Sequence, residues 1–99
     1  MMNKTFLVLY KPGKGWLSGE PMSKQPLQAH LNYNLELHDK GQLLMGGPFA
    51  DGTGGAVILL VGSLAEAEAL IDKDPAIVQG VFVPKIYEWE MATGTAIRS

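Results

Sequence analysis

The sequence predicts an α+β fold in which an antiparallel sheet carries two helices on one face. Three observations support this prediction. Apolar segments with the two-residue period of strands alternate with two segments of helical character, in the order β-α-β-β-α-β. Glycine and proline residues separate these segments. The chain of 99 residues suffices for one domain and is too short for two, so we expect a single domain over 1–99 with its core at about 4–91.

The first strand is predicted at residues 4–11, where aromatic and aliphatic side chains precede a proline and a glycine. Residues 12–24 contain three glycines and two prolines and predict the longest irregular loop of the chain. Long loops in small domains are often functional. We therefore expect Trp16, an apolar side chain in this loop, to bind substrate as part of a pocket lining.

The first helix is predicted at residues 26–40. Pro26 suits a first helical turn, because its missing N–H costs nothing there, and Gly41 supplies a stop. The apolar residues of this segment recur at a spacing of four and predict its buried face: Leu27, Leu31 and Leu35.

Two further strands are predicted at 42–49 and 56–62, joined by a glycine-rich connection that makes them a hairpin. The glycines do not open a helix, so they lack the helix dipole that lets glycine-rich loops bind phosphate. We expect the connection to form a pocket wall instead, with Pro48, Phe49 and Asp51 as substrate-binding residues.

The second helix is predicted to follow Ser63, which together with Glu66 forms the capping-box pattern S-x-x-E before an alanine-rich stretch. It is expected to end near Asp74, because Pro75 disfavours helical geometry in the residue before it. A short turn is expected over 75–80.

The last strand is predicted at 81–91, and the tail 92–99 is expected to be loose. Alternate residues of this strand share one face: Val81, Val83, Tyr87, Trp89 and Met91.

This order of elements is typical of the ferredoxin-like, or split β-α-β, fold. The fold brings the 12–24 loop, His30, the hairpin connection and Asp74 to one end of the sheet. The central strands are apolar on both faces, whereas the helices cover only one. Because soluble monomers rarely expose a large apolar face, we predict a homodimer through the open sheet face. Partial cover by the 12–24 loop and the tail is the alternative.

Composition excludes several classes of function. A net charge of −2 and eight scattered basic residues provide no stripe to neutralise phosphates, so no nucleic-acid partner is expected. The absence of cysteine excludes disulfides, thiolate metal sites and a cysteine nucleophile. No apolar run reaches the roughly 20 residues of a membrane span, and the N-terminal run is short for a signal peptide. We therefore expect a cytoplasmic protein that does not enter membranes.

His30 is the candidate for acid–base chemistry. It lies one position from the leucine stripe and so borders the expected buried face. Histidine exchanges a proton near neutral pH, and a carboxylate bonded to one ring nitrogen stabilises the charged ring. Asp74 is the candidate for that carboxylate, since the topology places it at the same end. The alternative is structural: His30 bonded to a backbone carbonyl and Asp74 ending a helix.

His38 is expected to have a structural role, because a histidine near a helix C-terminus interacts favourably with the helix dipole. It follows His30 by eight residues, about 12 Å along a helix, so the two histidines cannot bind one metal ion. No metal and no cofactor is therefore expected, although a set of His30, Asp74 and Asp51 stays open.

Several of these residues together resemble the YCII-related domain family. The resemblance covers about residues 4–91. The DGPF branch of this family has similar GPF-type hairpins. The segments that carry it are Pro26…His30-Leu31, Leu37-His38-Asp39, Gly41, Leu43-Leu44, Gly47-Pro48, Asp51, Gly55, Glu66-Ala67-Glu68-Ala69, Asp74-Pro75 and Gly80-Val81.

The resemblance implies a ferredoxin-like dimeric α+β barrel with an active site of one histidine and one aspartate, which fall on His30 and Asp74. Most members have no established activity. A relative that looks like a dehydrochlorinase of chlorinated hydroxyhydroquinones implies proton transfer without a cofactor, and fusions to sigma factors suggest regulation. The chain departs from the family in its glycine-rich 12–24 loop and in having Lys24 and Gln28, not arginine, before His30.

Three hypotheses follow. The first is a cofactor-independent lyase or isomerase in which His30 is the base and Asp74 orients it, acting on a small cyclic or aromatic molecule. The second is a non-catalytic dimer that binds a small molecule or regulates a partner. The third is a scaffold that functions through its sheet face and has no pocket.

Overall fold

The computed structural model describes residues 3–94, and its four strands form one antiparallel sheet of order β2-β3-β1-β4. The strands are β1 (Lys4–Pro12), β2 (Leu43–Pro48), β3 (Gly55–Val61) and β4 (Phe82–Glu88). The helices are α1 (Gln28–Asp39), α2 (Leu64–Asp72) and the four-residue α3 (Pro75–Val78), and a 3₁₀ turn spans Met22–Lys24. The predicted ferredoxin-like β-α-β-β-α-β fold is thereby confirmed.

The pairing register separates a buried sheet face from an open one. On β1, Phe6, Val8 and Tyr10 are buried, whereas Leu7 and Leu9 between them are only half-buried. Residues directly opposite each other in antiparallel strands share a face, and the buried residues of β1 lie opposite Leu59, Val57 and Gly55 of β3. The helices cover this buried face, where the core forms. Its largest members are Phe6, Val8, Tyr10, Leu37, Leu43, Val57, Leu59, Val61, Ile71, Val81 and Phe82.

The face that α1 turns to the core differs from the prediction. Leu31 and Leu35 are 51% and 54% exposed, while Leu37 is 3% exposed. The helix also begins at Gln28, two residues later than predicted, and Leu27, whose backbone is not helical, is its N-cap. The prediction that Leu31 and Leu35 are core residues was therefore wrong.

The predicted capping of α2 is confirmed. The Ser63 hydroxyl accepts the Glu66 backbone N–H at 3.1 Å, and the Glu66 carboxylate accepts the backbone N–H of Gly62 at 2.8 Å. The short turn expected after Pro75 is α3. Its N-cap is Asp74, whose Oδ1 accepts the Ala76 N–H at 2.9 Å.

The 12–24 loop is held at both ends. Gln25 is buried; its Nε2 donates to the carbonyls of Leu17 and Glu20 at 3.0 Å, and its Oε1 accepts the Leu17 N–H at 2.7 Å. At the other end the Gly15 N–H donates to the Gly80 carbonyl at 2.8 Å. A side chain at Gly13 would meet the same carbonyl at 2.4 Å, so the approach of the two segments requires glycine there.

The open face carries Val83 and Tyr87 of β4, each 43% exposed. Val81 was predicted on this face but is 1% exposed, because β4 starts one residue later and Val81 lies in the core. Of the tail expected to be loose, residues 92–94 form bends and the remainder lies outside the described residues. No helix within residues 3–94 is long and apolar enough to cross a bilayer.

Candidate active site

His30 and Asp74 are in contact. The imidazole Nδ1 lies 2.7 Å from Oδ2 and 2.9 Å from Oδ1 of the carboxylate. His30 comes from the first turn of α1, and Asp74 from the junction between α2 and α3. Because α2 ends at Asp72 and α3 begins at Pro75, the carboxylate of Asp74 lies between these two helices, in contact with the first turn of α1.

The environment of this pair is largely closed to solvent. The Asp74 side chain is 0% exposed, and the His30 side chain is 15% exposed. Asp74 is satisfied on both sides, since it binds His30 and also accepts the Ala76 N–H. A buried carboxylate is stabilised by such bonds, and a hydrogen-bonded histidine is oriented by them.

Two aromatic rings hold the imidazole in place. Tyr10 and Phe82 both approach it edge to face, with ring centroids 5.4 and 5.5 Å away. Trp16 packs on the far side of Phe82 at 5.8 Å. The loop tryptophan therefore supports the histidine through Phe82, in an arrangement typical of aromatic clusters.

The second ring nitrogen of His30 faces Asn34. If Nδ1–H donates to Asp74, the neutral ring carries its lone pair on Nε2. The Nδ2 amide of Asn34, one turn further along α1, lies 3.3 Å from Nε2 and donates to it. This tautomer leaves Nε2 as the basic atom.

A cleft of about 710 Å³ opens beside His30, between α1 and the β2–β3 hairpin. Its lining is mainly apolar, and the exposed Leu31 and Leu35 belong to it. None of the described residues that line the cleft is lysine, arginine, aspartate or glutamate. The apolar members of the lining include Met22, Leu27, Leu31, Leu35, Leu43, Leu44, Met45, Pro48, Ala56, Val57 and Phe82.

Only some of the residues predicted for the site lie at the cleft or contact His30. His30 and Pro48 line the cleft, and Asp74 lies behind His30. Trp16 and Phe49 are not part of the cleft lining, although Phe49 is 42% exposed. Asp51 is exposed in the hairpin turn, where its Oδ1 accepts the side-chain O–H of Thr53 at 2.6 Å and its backbone N–H at 3.0 Å. These bonds lower the pKa of Asp51.

Sequence reasoning missed three residues around His30. Tyr10 and Phe82 were assigned to strands alone, and Asn34 was not considered. A signal was present for Asn34, because a residue four positions after His30 shares its helix edge. His38, expected to act only at the helix end, also lines the cleft.

Two tyrosines near the pair have perturbed acidity. Burial raises the pKa of Tyr10 far above its usual range, and the negative charge of Asp74 adds to this effect. Burial and then Asp74 also raise the pKa of Tyr33, whose hydroxyl donates to the Leu70 carbonyl at 2.6 Å. The Tyr10 hydroxyl is buried, and it has no hydrogen-bond partner within residues 3–94. Both phenols are therefore neutral over the pH range in which histidine titrates.

The donor set does not resemble a metal site. Within residues 3–94, no three His, Asp or Glu side chains converge. Asp51 in particular is bound to Thr53 in its own turn, so the set of His30, Asp74 and Asp51 does not form.

Known proteins resemble this chain in structure and in sequence. The structure of 5-chloro-2-hydroxyhydroquinone dehydrochlorinase (TftG) from Burkholderia phenoliruptrix AC1100, in complex with 2,5-dihydroxybenzoquinone, matches with a TM-score of 0.67 and 25% sequence identity. The match covers 87% of this chain and 93% of that chain. The uncharacterized protein YjpA of Bacillus subtilis (strain 168) is 32% identical over 72 residues, which are 73% of this chain and 85% of YjpA.

The YCII-related domain matches residues 5–90. That match spans nearly the whole sequence and agrees with the ferredoxin-like fold. The resemblance predicted from the sequence is confirmed, and the chain belongs to the YCII-related domain family.

Proposed function

We propose that the protein is a cofactor-independent lyase or isomerase that moves a proton on a small cyclic or aromatic molecule. His30 is the general base, and Asp74 orients its ring. The observation that carries this proposal is the 2.7 Å contact between His30 Nδ1 and the fully buried Asp74, at the side of an open cleft.

The chemistry follows from this contact. Asp74 holds the proton on Nδ1, so Nε2 is free to accept a proton from a molecule in the cleft. When Nε2 takes that proton, the carboxylate stabilises the imidazolium ion. A base positioned in this way contributes about 10²- to 10⁴-fold in rate.

The cleft supports a small, partly apolar substrate. Its apolar walls bury ring surface, and its polar groups at His30 and Asn34 orient the molecule. TftG, whose name describes dehydrochlorination of a chlorinated hydroxyhydroquinone, supports a lyase-like reaction and supplies two probes. The likeness to TftG does not identify the natural substrate, because this chain departs from the family in the 12–24 loop before α1 and in the residues that precede His30.

The other predicted site residues have different roles in this proposal. Pro48 forms part of the cleft wall. Trp16 acts through Phe82, which it contacts, on the orientation of His30. Phe49 and Asp51 remain proposed contacts for a part of the substrate that projects beyond Pro48.

We further propose a homodimer through the open sheet face. Its support is a row of apolar side chains that the helices do not cover, including Leu7, Leu9 and Ile58 near the centre and Val83 and Tyr87 at the β4 edge. Burying this face in a second copy removes apolar surface from water at about 25 cal/mol per Å².

The test is chloride release from 5-chloro-2-hydroxyhydroquinone under anaerobic conditions. We expect turnover by the wild-type protein and a loss of at least about 100-fold in His30→Gln. Glu36→Gln, an exposed change on the same helix, is the matched control and should retain turnover. Full activity in His30→Gln would contradict the proposal. Binding of 2,5-dihydroxybenzoquinone without turnover would instead favour a non-catalytic small-molecule-binding or regulatory homodimer.

A further inference from the structure

We propose that Asn34 is a second catalytic residue, whose side-chain N–H donates to a carbonyl oxygen of the molecule that His30 deprotonates. The substrate class is then a ring with a carbonyl group and a conjugated acidic C–H or O–H, and it includes polyhydroxybenzenes that react through their keto tautomers. This inference rests on the proposed function, and it names a residue and a chemical unit that the His30–Asp74 pair alone does not specify.

The first support is geometric. Asn34 Nδ2 lies 3.3 Å from His30 Nε2, and both residues line the cleft. At this length the contact is weaker than an ordinary hydrogen bond, whose N···acceptor distance is about 2.9–3.0 Å. A substrate can therefore take the place of Asn34 at Nε2 at little cost, while the amide stays within reach of a neighbouring substrate atom.

The second support is the incomplete hydrogen bonding of the Asn34 carboxamide. Within the described residues its Oδ1 is buried without a partner, and its NH₂ group, which has two donors, makes the contact with His30 only. Buried polar groups are almost always paired in proteins. A ligand oxygen accepts hydrogen bonds, so it can pair with the second N–H of Asn34 but not with Oδ1. The spare N–H therefore gives the amide a donor that a ligand oxygen in the cleft can use.

The third support is that few other donors line the cleft among the described residues; besides the amides and His38 they are the hydroxyls of Tyr10 and Ser23. None of the described cleft residues carries a fixed positive charge. Gln25 spends its amide on the 12–24 loop, and the Gln28 amide donates to Asn32 at 3.0 Å. His38 is two turns from His30, about 12 Å along the helix. Among the described cleft residues, Asn34 is the side-chain donor seen in contact with Nε2, so it is placed to stabilise negative charge that develops next to the base.

The distance between the base, His30, and the donor, Asn34, defines which group of the substrate reacts. The Nε2 atom removes a proton from the carbon next to a carbonyl, or from a hydroxyl that is conjugated with the carbonyl through a ring C=C bond, and the electron pair of the broken bond moves toward the carbonyl. Negative charge collects on the carbonyl oxygen, where the Asn34 N–H stabilises it. In an isomerisation, the proton then returns to a different atom of the ring. In an elimination, a leaving group departs with its electron pair, and the proton on Nε2 passes to solvent.

The experiment compares two probes that differ in the carbonyl. 2,5-Dihydroxybenzoquinone has hydroxyl and carbonyl groups on adjacent carbons, and hydroquinone has hydroxyl groups without a carbonyl. Binding of each is measured by calorimetry to wild type, Asn34→Leu and Asn34→Asp. Glu36→Gln, an exposed change on the same helix outside the cleft lining, is the control.

We expect Asn34→Leu to weaken binding of the quinone by about 10- to 100-fold and to leave hydroquinone binding unchanged. Asn34→Asp should weaken quinone binding further, because a carboxylate cannot donate and repels an oxyanion. Equal losses for both probes, or no loss for the quinone, would overturn the assignment. A wild-type protein that binds the quinone through Asn34 but never releases chloride would refute the proposed catalysis and the catalytic role of Asn34, and would leave Asn34 as a residue that binds the carbonyl oxygen of a ligand.

Discussion

His30 and Asp74 are linked at 2.7 Å, and the same carboxylate caps α3 through the Ala76 N–H at 2.9 Å. One buried side chain therefore serves both local folding and the orientation of the base. A substitution at Asp74 that keeps the cap of α3, but exchanges donor and acceptor in the hydrogen bond to the His30 imidazole, separates these two roles.

Asp74→Asn is that substitution. Asparagine caps helices about as well as aspartate, so its oxygen can keep the Ala76 N–H while its NH₂ group faces Nδ1. The proton of the neutral ring then moves to Nε2, and the base is lost. We expect turnover to fall by about 10²- to 10⁴-fold. Nitrogen-15 NMR of the ring reports the tautomer, and an unchanged Nδ1–H tautomer would contradict this account.

Tyr10 and Tyr33 offer a matched pair of phenylalanine substitutions. The Tyr33 hydroxyl donates to Leu70, so Tyr33→Phe should lower the free energy of unfolding by about 1 kcal/mol. The Tyr10 hydroxyl is buried without a partner, so Tyr10→Phe should be neutral or stabilising. Urea denaturation measures both values, and a larger loss in Tyr10→Phe would reveal a hydrogen bond to Tyr10 in solution.

The raised pKa values of Tyr10 and Tyr33 predict alkaline destabilisation. Above about pH 10 the unfolded chain releases the phenol protons that the folded chain retains, so the unfolded state binds fewer protons and stability falls as pH rises. Below that pH the contribution is constant. Free energies of unfolding measured from pH 8 to 12 should fall less steeply in Tyr10→Phe than in wild type. Parallel curves would exclude this cause.

Leu35 and Leu37 are two positions apart on α1 but differ in environment, with 54% and 3% exposure. Leu37→Ala should lower the free energy of unfolding by about 2–5 kcal/mol, because it leaves a cavity in the core. Leu35→Ala should cost less than about 1 kcal/mol and instead weaken binding of 2,5-dihydroxybenzoquinone, since Leu35 lines the cleft. A large stability loss in Leu35→Ala would show that this side chain is buried in solution.

The proposed dimer is tested on the open sheet face. Leu9 lies on this face of β1, so Leu9→Lys places a charge in the proposed interface, where it would be buried without a partner. We expect wild type to sediment as a dimer and Leu9→Lys as a folded monomer. Lys85, which pairs with Leu9 across the strands, gives the control Lys85→Arg, which should remain dimeric. A wild-type monomer would refute the proposal.

Most of the fold could be predicted because it depends on local signals. The periods of the strands, the capping box at Ser63 and the proline after Asp74 each specify structure within a few residues. The error on α1 has a physical cause. A cleft for an apolar ligand needs the same leucines as a core, and a helical period does not distinguish the two uses, as the exposed Leu31 and Leu35 show.

The site could be predicted only in part for a different reason. His30 and Asp74 are 44 residues apart, and their contact depends on how α1 meets the α2–α3 junction. Topology brought them to one end of the sheet but not to a hydrogen-bonding distance. The contact of Asn34 with His30 lies within one helix turn and was within reach of sequence reasoning.

The attachment of the 12–24 loop by Gln25 and Gly15 bears on the kinetics of ligand capture. Because hydrogen bonds hold this loop at both ends, we expect it to keep one form while a ligand enters the cleft. Association with the cleft should then be a single diffusional step, with an observed rate that rises linearly with ligand concentration and does not reach a plateau. Selectivity would be expressed in how long a molecule stays, and not in how fast it enters.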